Sequence, residues 1–309
     1  MGNWNPYLMK KYPPLVFFGS GPVALKSLEF ISKHFIVESV ITKPQAPLDK
    51  KTPPVISWCQ KNKIRYLTPK NKSGLDEIFS NHKFDSRLGV LVDFGIIVSE
   101  EVINYFPLGI INSHFSLLPK WRGADPITFS ILEGDKKTGV SLMLIDRGMD
   151  TGLLLAQKEY PIRKSITTPV LTEELISLSN QMLLDFLPKY TQGAIKPYPQ
   201  SRSVSITYSK KINKSDGYID WNKTAEQIER EIRAYTFWPG SKTEIFGRDV
   251  TITKARALPG NSSPGKVEVN RSAGLLNIYC KKGYLSVEKL KPASKNEMTA
   301  SEFIRGYIK

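Results

Sequence analysis

The chain has 309 residues, 40% of them hydrophobic, which is enough for two packed domains and too apolar for a disordered polymer. Its 44 Lys and Arg against 29 Asp and Glu give a net charge of +15, which favours a polyanionic partner, nucleic acid above all. Two cysteines, Cys59 and Cys280, exclude a disulfide framework and a cysteine-based zinc site, and no apolar run approaches the length of a membrane span.

Leu15-Val16-Phe17-Phe18 is an apolar strand, turned by Gly19-Ser20-Gly21-Pro22 into a helix over 22–33. Val37–Ile41 is the second strand. A loop rich in proline and lysine runs from Pro44 to Pro54. The pattern then predicts a helix at 55–62, a strand at 65–67 and a helix at 74–80. Leu88-Gly89-Val90-Leu91-Val92 has no polar interruption, the mark of a strand buried on both faces. A helix near 99–105 leads to a strand that ends Gly109-Ile110-Ile111-Asn112-Ser113-His114. A helix at 126–133, strands at 139–145 and 153–161 and a long amphipathic helix at 169–188 follow. Strands alternating with helices predict an open, mostly parallel α/β sheet, a Rossmann-like domain over residues 1–191. Gly193, Pro197, Pro199 and their Ser and Gln neighbours predict a linker at 192–208. Beyond it come one helix at 223–235 and then short strands punctuated by Gly and Pro. A small OB-like β-barrel domain over 209–309 is expected. Residues 205–309 hold 19 Lys and Arg against 11 Asp and Glu, a net of +8 in a third of the chain.

Asn112, His114 and Asp150 are the residues most suited to chemistry. Side chains at i and i+2 of a strand share a face, so the Asn112 amide and the His114 imidazole aim into one space. A carboxylate from the later run Asp146-Arg147-Gly148-Met149-Asp150-Thr151-Gly152 completes a site for acyl transfer. Asn112 can donate to a developing oxyanion, with His114 as a second donor, and Asp150 can orient the imidazole or accept a proton. Trp121-Arg122-Gly123, just past the Pro119 turn, is expected to line the same cleft. His34 and His82 sit in helix-end and polar contexts and read as ordinary surface residues.

Two motifs mislead. Gly19-Ser20-Gly21-Pro22-Val23-Ala24 fits a dinucleotide-binding fingerprint, but no acidic residue stands near Ile41-Thr42-Lys43-Pro44, where the ribose would need one. The better reading is a tight turn whose helix N-terminus faces a ligand. Asp150-Thr151-Gly152 matches the aspartic-protease triplet, yet no second copy exists to share a proton.

Val92-Asp93-Phe94-Gly95, Asn112 to Pro119, Trp121-Arg122-Gly123-Ala124 and Asp150-Thr151-Gly152 together resemble the folate-dependent formyltransferases. Ile219-Asp220-Trp221, Ile232-Arg233-Ala234-Tyr235, Trp238-Pro239-Gly240 and Leu290 to Met298 resemble the C-terminal domain of those that act on methionyl-tRNA. The resemblance covers residues 14 to 306. It implies transfer of a formyl group from 10-formyltetrahydrofolate to the α-amine of initiator Met-tRNA, with no metal, in a monomeric cytoplasmic enzyme. By motif it implies Asn112, His114 and Asp150 as catalytic residues. It implies folate contacts at Phe94, Gly95, Ile96, Ser116, Leu117, Leu118, Pro119, Arg147, Gly148 and Met149. Lys43, Lys50, Lys51, Arg122, Lys210, Lys211 and Arg233 are the candidate tRNA contacts. The loop Lys43–Pro54 departs from the family, being shorter and without arginine, so it lacks the planar fork that reads bases bidentately. Two other readings compete: a formyltransferase for a small amine such as a nucleotide-linked amino sugar, and a non-catalytic RNA-binding protein on the same fold. The basic C-terminal third weighs against the first, and the intact Asn112, His114 and Asp150 set against the second.

Overall fold

A computed structural model describes residues 12–47 and 51–308, which form two compact units. The division is not a single cut. One unit holds the chain up to Ala124 with Thr138–Tyr160 and Thr172–Tyr208. The other holds Asp125–Lys137, Pro161–Leu171 and the chain from Ser209 onward.

The first unit is built on β1 (Leu15–Gly19), α1 (Gly21–Ile31), β2 (Val37–Ile41), α2 (Pro54–Asn62), β3 (Tyr66–Leu67), α3 (Lys72–Asn81), β4 (Leu88–Val92), α4 (Glu100–Tyr105), β5 (Ile110–His114) and β6 (Arg122–Gly123). Local chemistry explains where the helices start. Pro22 opens α1, the Asn71 side chain accepts from Gly74 N at 3.0 Å to cap α3, and Ser99 accepts from Val102 N at 3.2 Å to cap α4. Beyond α5 (Pro126–Leu132) come β7 (Lys137–Leu144), β8 (Leu154–Pro161), the long α6 (Thr168–Thr191) and β9 (Tyr208–Ser209).

The sheet runs β3-β2-β1-β4-β5-β7-β8. The pairs from β3 to β5 are parallel and β5–β7 is antiparallel, so the expected mostly parallel sheet is present. Every residue of β1 and β4 is buried, as a strand covered on both faces requires. The strand β5, which carries Asn112 and His114, lies between the last parallel partner and the first antiparallel one, with Leu91 opposite Asn112 on one side and Ser141 opposite His114 on the other.

The second unit carries α7 (Ala225–Ala234), β10 (Ser241–Ile245), β11 (Arg248–Leu258), β12 (Val267–Asn270), β13 (Leu275–Tyr279), β14 (Tyr284–Pro292), β15 (Met298–Thr299) and α8 (Ala300–Tyr307). Its strands form an antiparallel sheet in the order β10-β11-β14-β13-β12, with β15 on β14. Ile228 and Ile232 of α7 and Phe303 and Ile304 of α8 bury themselves with Ile252, Leu276, Leu285 and Leu290 of the sheet. Each such aliphatic side chain contributes about 1.5–3 kcal/mol by leaving water. The sequence reading missed α8, although Thr299 and Glu302 form a reciprocal capping box at its start.

The short segments before and after β7–β8 are tied to α7 by hydrogen bonds from side chains to carbonyls, in both directions. Arg230 Nε donates to Leu132 O at 2.8 Å, Arg233 Nη1 donates to Ile166 O at 2.9 Å, and the Thr168 hydroxyl donates to Ala234 O at 2.8 Å. Cys59 and Cys280 are both buried, and burial pushes their thiols up to about 12 and about 11, so neither supplies a thiolate nucleophile. No helix among the described residues is long and apolar enough to cross a membrane.

Candidate active site

The i, i+2 argument is carried by Ser113. Its hydroxyl meets Ser179 Oγ of α6 at 2.6 Å, so Ser113 points to the helix-covered face of β5. Asn112 and His114 therefore point to the other face. Among the described residues no side chain or backbone group takes a hydrogen bond from the half-buried Asn112 amide, which leaves it free to donate.

His114 is 6% exposed, and its two ring nitrogens meet different partners. Nε2 lies 2.9 Å from Trp121 O, and Nδ1 lies 3.7 Å from Asp150 Oδ2. A carbonyl only accepts, so Nε2 carries the hydrogen. In the neutral tautomer this leaves a lone pair at Nδ1 facing the Asp150 carboxylate across 3.7 Å, longer than an N–H···O bond. A proton delivered to either atom converts the pair into a charge-assisted hydrogen bond. With Nε2 engaged by Trp121 O, any further donation from His114 would come from Nδ1.

Asp150 is held by two hydrogen bonds, one at its side chain and one at its carbonyl. Its Oδ2 accepts from Gly123 N at 2.7 Å. Its carbonyl accepts from Gln200 Nε2 at 2.7 Å, and the same amide reaches Gly152 O at 3.1 Å. Gln200 Oε1 in turn accepts from Arg122 Nη2 at 2.7 Å. Asp150 and Trp121 sit in the left-handed region, at φ 53° and 57°, a conformation that persists where surrounding bonds enforce it. Gly152 has no alternative: a Cβ there would stand 1.7 Å from Leu144 O, so the loop can cross the end of β7 only on a glycine.

The expected folate contacts divide by exposure. Phe94 is buried against Phe18, edge to face at 5.6 Å, so the segment Phe94-Gly95-Ile96 offers main chain rather than a ring. Gly95 is exposed at φ 66°. Ser116, Leu118 and Pro119 are buried and Leu117 half-buried; Ser141 Oγ donates to Ser116 O at 2.6 Å, and Gln157 Nε2 donates to Leu118 O at 2.8 Å. Arg147, Gly148 and Met149 are exposed, and the turn that bears them is closed by Asp146 Oδ1, which accepts from Gly148 N at 3.0 Å. The Arg147 guanidinium is paired with Glu100.

The candidate tRNA contacts also separate. Lys43, Lys51, Lys210 and Lys211 are exposed, and Lys50 lies outside the described residues. Lys43 Nζ lies beside Gly95, 2.7 Å from where a Cβ would be, so it runs along the Phe94–Ile96 segment. Lys210 Nζ is 3.8 Å from Asp216. Two arginines are engaged inside the fold instead. Arg122 is 8% exposed on Gln200, and Arg233 grips Glu229 and Ile166 O. Each guanidinium thus has internal acceptors at hand.

The stretch 192–208 does more than connect. Tyr198 exchanges both backbone hydrogen bonds with Leu154, at 2.9 and 2.7 Å. Thr207 Oγ1 accepts from Trp121 N at 2.9 Å, and Thr207 O accepts from Arg122 N at 3.0 Å. Gln200 and Thr207 thus fix the two loops that carry Trp121 and Asp150, and sequence reasoning missed both.

A family model described as formyl transferase matches residues 27–187, and one described as formyl transferase, C-terminal domain, matches residues 211–308. The chain belongs to the formyltransferase family. It is 35% identical over 300 residues to the methionyl-tRNA formyltransferase of Enterococcus faecalis, covering 94% of this chain and 95% of that one. It is 33% identical to that of Myxococcus xanthus over 299 residues, covering 96% and 95%. Among solved structures, an N-formyltransferase from Helicobacter canadensis in complex with folinic acid and dTDP-3-aminofucose superposes with a TM-score of 0.66. It shares 22% identity over 88% of this chain and 98% of that one, which shows the fold.

Gln200 should behave as a positioning residue in this formyltransferase. Gln200→Leu deletes three hydrogen bonds, those to the Asp150 and Gly152 carbonyls and that from Arg122, each worth on the order of 1–3 kcal/mol where the groups stay dry. We expect kcat to fall by roughly 10–100-fold with little change in KM for the formyl donor, since Asp150 loses its bearing on His114 while the donor-lining segments stay in place. A kcat equal to wild type in steady-state assays would show that Gly123 N–H alone positions Asp150.

Proposed function

We propose that the chain transfers a formyl group from 10-formyltetrahydrofolate to the α-amine of methionine on initiator tRNA. The observation that carries this reading is the acceptor pair His114 Nδ1 and Asp150 Oδ2 beside the unpartnered Asn112 amide, in a chain 35% identical to a methionyl-tRNA formyltransferase over 94% of its length. The residues fit the donor. Gly95 and the Arg147–Met149 turn offer exposed main chain to a flat ring, and Asn112 awaits a carbonyl oxygen.

The attacking amine nitrogen forms a bond to the formyl carbon, and the bond from that carbon to the folate nitrogen breaks. Asn112 donates to the formyl oxygen as it gains charge, an effect typically worth about 3 kcal/mol per donor. The amine must shed a proton, and the pair His114 Nδ1 and Asp150 Oδ2 receives it. Protonation turns their mutual repulsion into attraction, so the pair stabilises the step as the proton arrives. The departing folate nitrogen recovers a proton, restoring the bare pair for the next turnover.

A formyl-transfer assay tests this directly. Purified protein given charged initiator tRNA and the formyl donor should yield formylmethionyl-tRNA, and a nucleotide-linked amino sugar in its place should be a poor acceptor. The reverse preference would overturn the proposal in favour of a small-amine substrate. The net +15 charge adds a second expectation. Log affinity for tRNA should fall linearly with log salt as phosphate contacts release counterions. A flat salt dependence in filter binding would contradict a phosphate footprint.

A further inference from the structure

Three aromatic rings of the second unit stand in solvent with no packing reason to do so. Phe237 is 89% exposed, Tyr218 63% and Trp238 58%. Phe237 also sits at φ 70°, where a bulky side chain is strained. The backbone brings these residues together. Tyr218 lies in a parallel bridge with Lys242, and Ile219 N donates to Lys242 O at 2.9 Å. The preceding Gly217 is pressed against the Trp238-Pro239-Gly240 turn: a Cβ there would stand 2.3 Å from Gly240 O and 3.0 Å from Pro239 Cγ. Only glycine permits that approach, and it sets Tyr218 beside the turn that displays Phe237 and Trp238.

Lysines accompany the group. Lys242 Nζ lies 5.9 Å from the Tyr218 ring centroid, and Lys211 and Lys214 are exposed on the chain leading into Tyr218. An apolar docking face for another protein would be poorly served by these lysines. A double helix hides its bases from such rings. Unpaired nucleotides suit both features, because every base has a face to stack and every link a phosphate for lysine.

We propose that Tyr218, Phe237 and Trp238 form a stacking platform for unpaired RNA bases, with Lys211, Lys214 and Lys242 holding the phosphates between them. The occupant is the single-stranded 3′ end of tRNA, and that choice rests on the function proposed above. The platform grips the strand through its bases without reading them, which suits an end whose bases serve as a handle for the amino acid.

The test uses the full chain and a labelled single-stranded oligoadenylate, with a blunt RNA duplex as control. Base–aromatic stacking of about 1–3 kcal/mol predicts that Phe237→Ala raises Kd for the single strand roughly 5–150-fold and leaves the duplex Kd unchanged. Phe237→Trp, which keeps a stacking face, should restore the single-strand affinity. Phe237 is almost wholly exposed, so its truncation removes no core contact. Equal loss for strand and duplex, or no loss in either Phe237→Ala or Tyr218→Ala, would overturn the platform. The outcomes separate from those of the proposed function. Wild-type protein that binds the strand but does not formylate Met-tRNA keeps the platform and sinks the enzyme reading. Wild-type protein that formylates, with variants unchanged in KM for Met-tRNA, does the reverse.

Discussion

His114→Ala is expected to lower kcat by about 10²–10⁴-fold, the usual contribution of a positioned acid–base group. Its KM values for tRNA and the formyl donor should stay within a few-fold of wild type, because the imidazole is 6% exposed and offers binding energy only at Nδ1. Asn112→Ala removes the oxyanion donor and should cost about 10²–10³-fold in kcat. The two losses differ in how they respond to pH. The His114 variant loses the proton acceptor and should gain rate as rising pH deprotonates the amine unaided. The Asn112 variant keeps its acceptor, so its pH profile should parallel wild type. Single-turnover rates measured across pH, with thermal melting as a control for folding, separate these patterns. Wild-type turnover in either variant would remove that residue from the mechanism.

The site was legible in the sequence where its determinants are local. The unbroken apolar run Leu88–Val92 declares a strand buried on both faces, and the alternation Asn112-Ser113-His114 fixes which side chains share a face. The missing parts are non-local. Gln200 stands among Pro and Ser residues whose composition says only that the chain is irregular, and nothing in that composition says where its amide will land. It lands 50 residues back in sequence, on Asp150 O. Arg122 and Arg233 have internal partners that their charge alone does not announce. Their partners, Gln200 and Ile166 O, lie 78 and 67 residues away. The tautomer of His114 belongs to the same class, since it is set by the Trp121 carbonyl and only a structure can place that oxygen.

Asp150→Asn should then be the sharpest probe of the acceptor pair. Asparagine is at ease at φ 53°, where most residues are strained, so the backbone has no reason to move. Its amide oxygen can still accept from Gly123 N. That oxygen stands where Oδ2 does, the same atom that faces His114 Nδ1 at 3.7 Å, so the amide keeps the resting contacts and removes only the carboxylate charge. The substitution thus preserves the loop and deletes the charge that would draw the amine's proton to the pair. We expect the melting temperature to hold while kcat falls about 10³-fold, within the range of lost acid–base catalysis. Loss of rate at unchanged stability is the signature, because a residue that merely props the loop would lose both together. If the melting temperature instead collapsed with activity, Asp150 would be a structural residue. Turnover would then have to find another home for the proton, since the Nε2 side of His114 is already committed to Trp121.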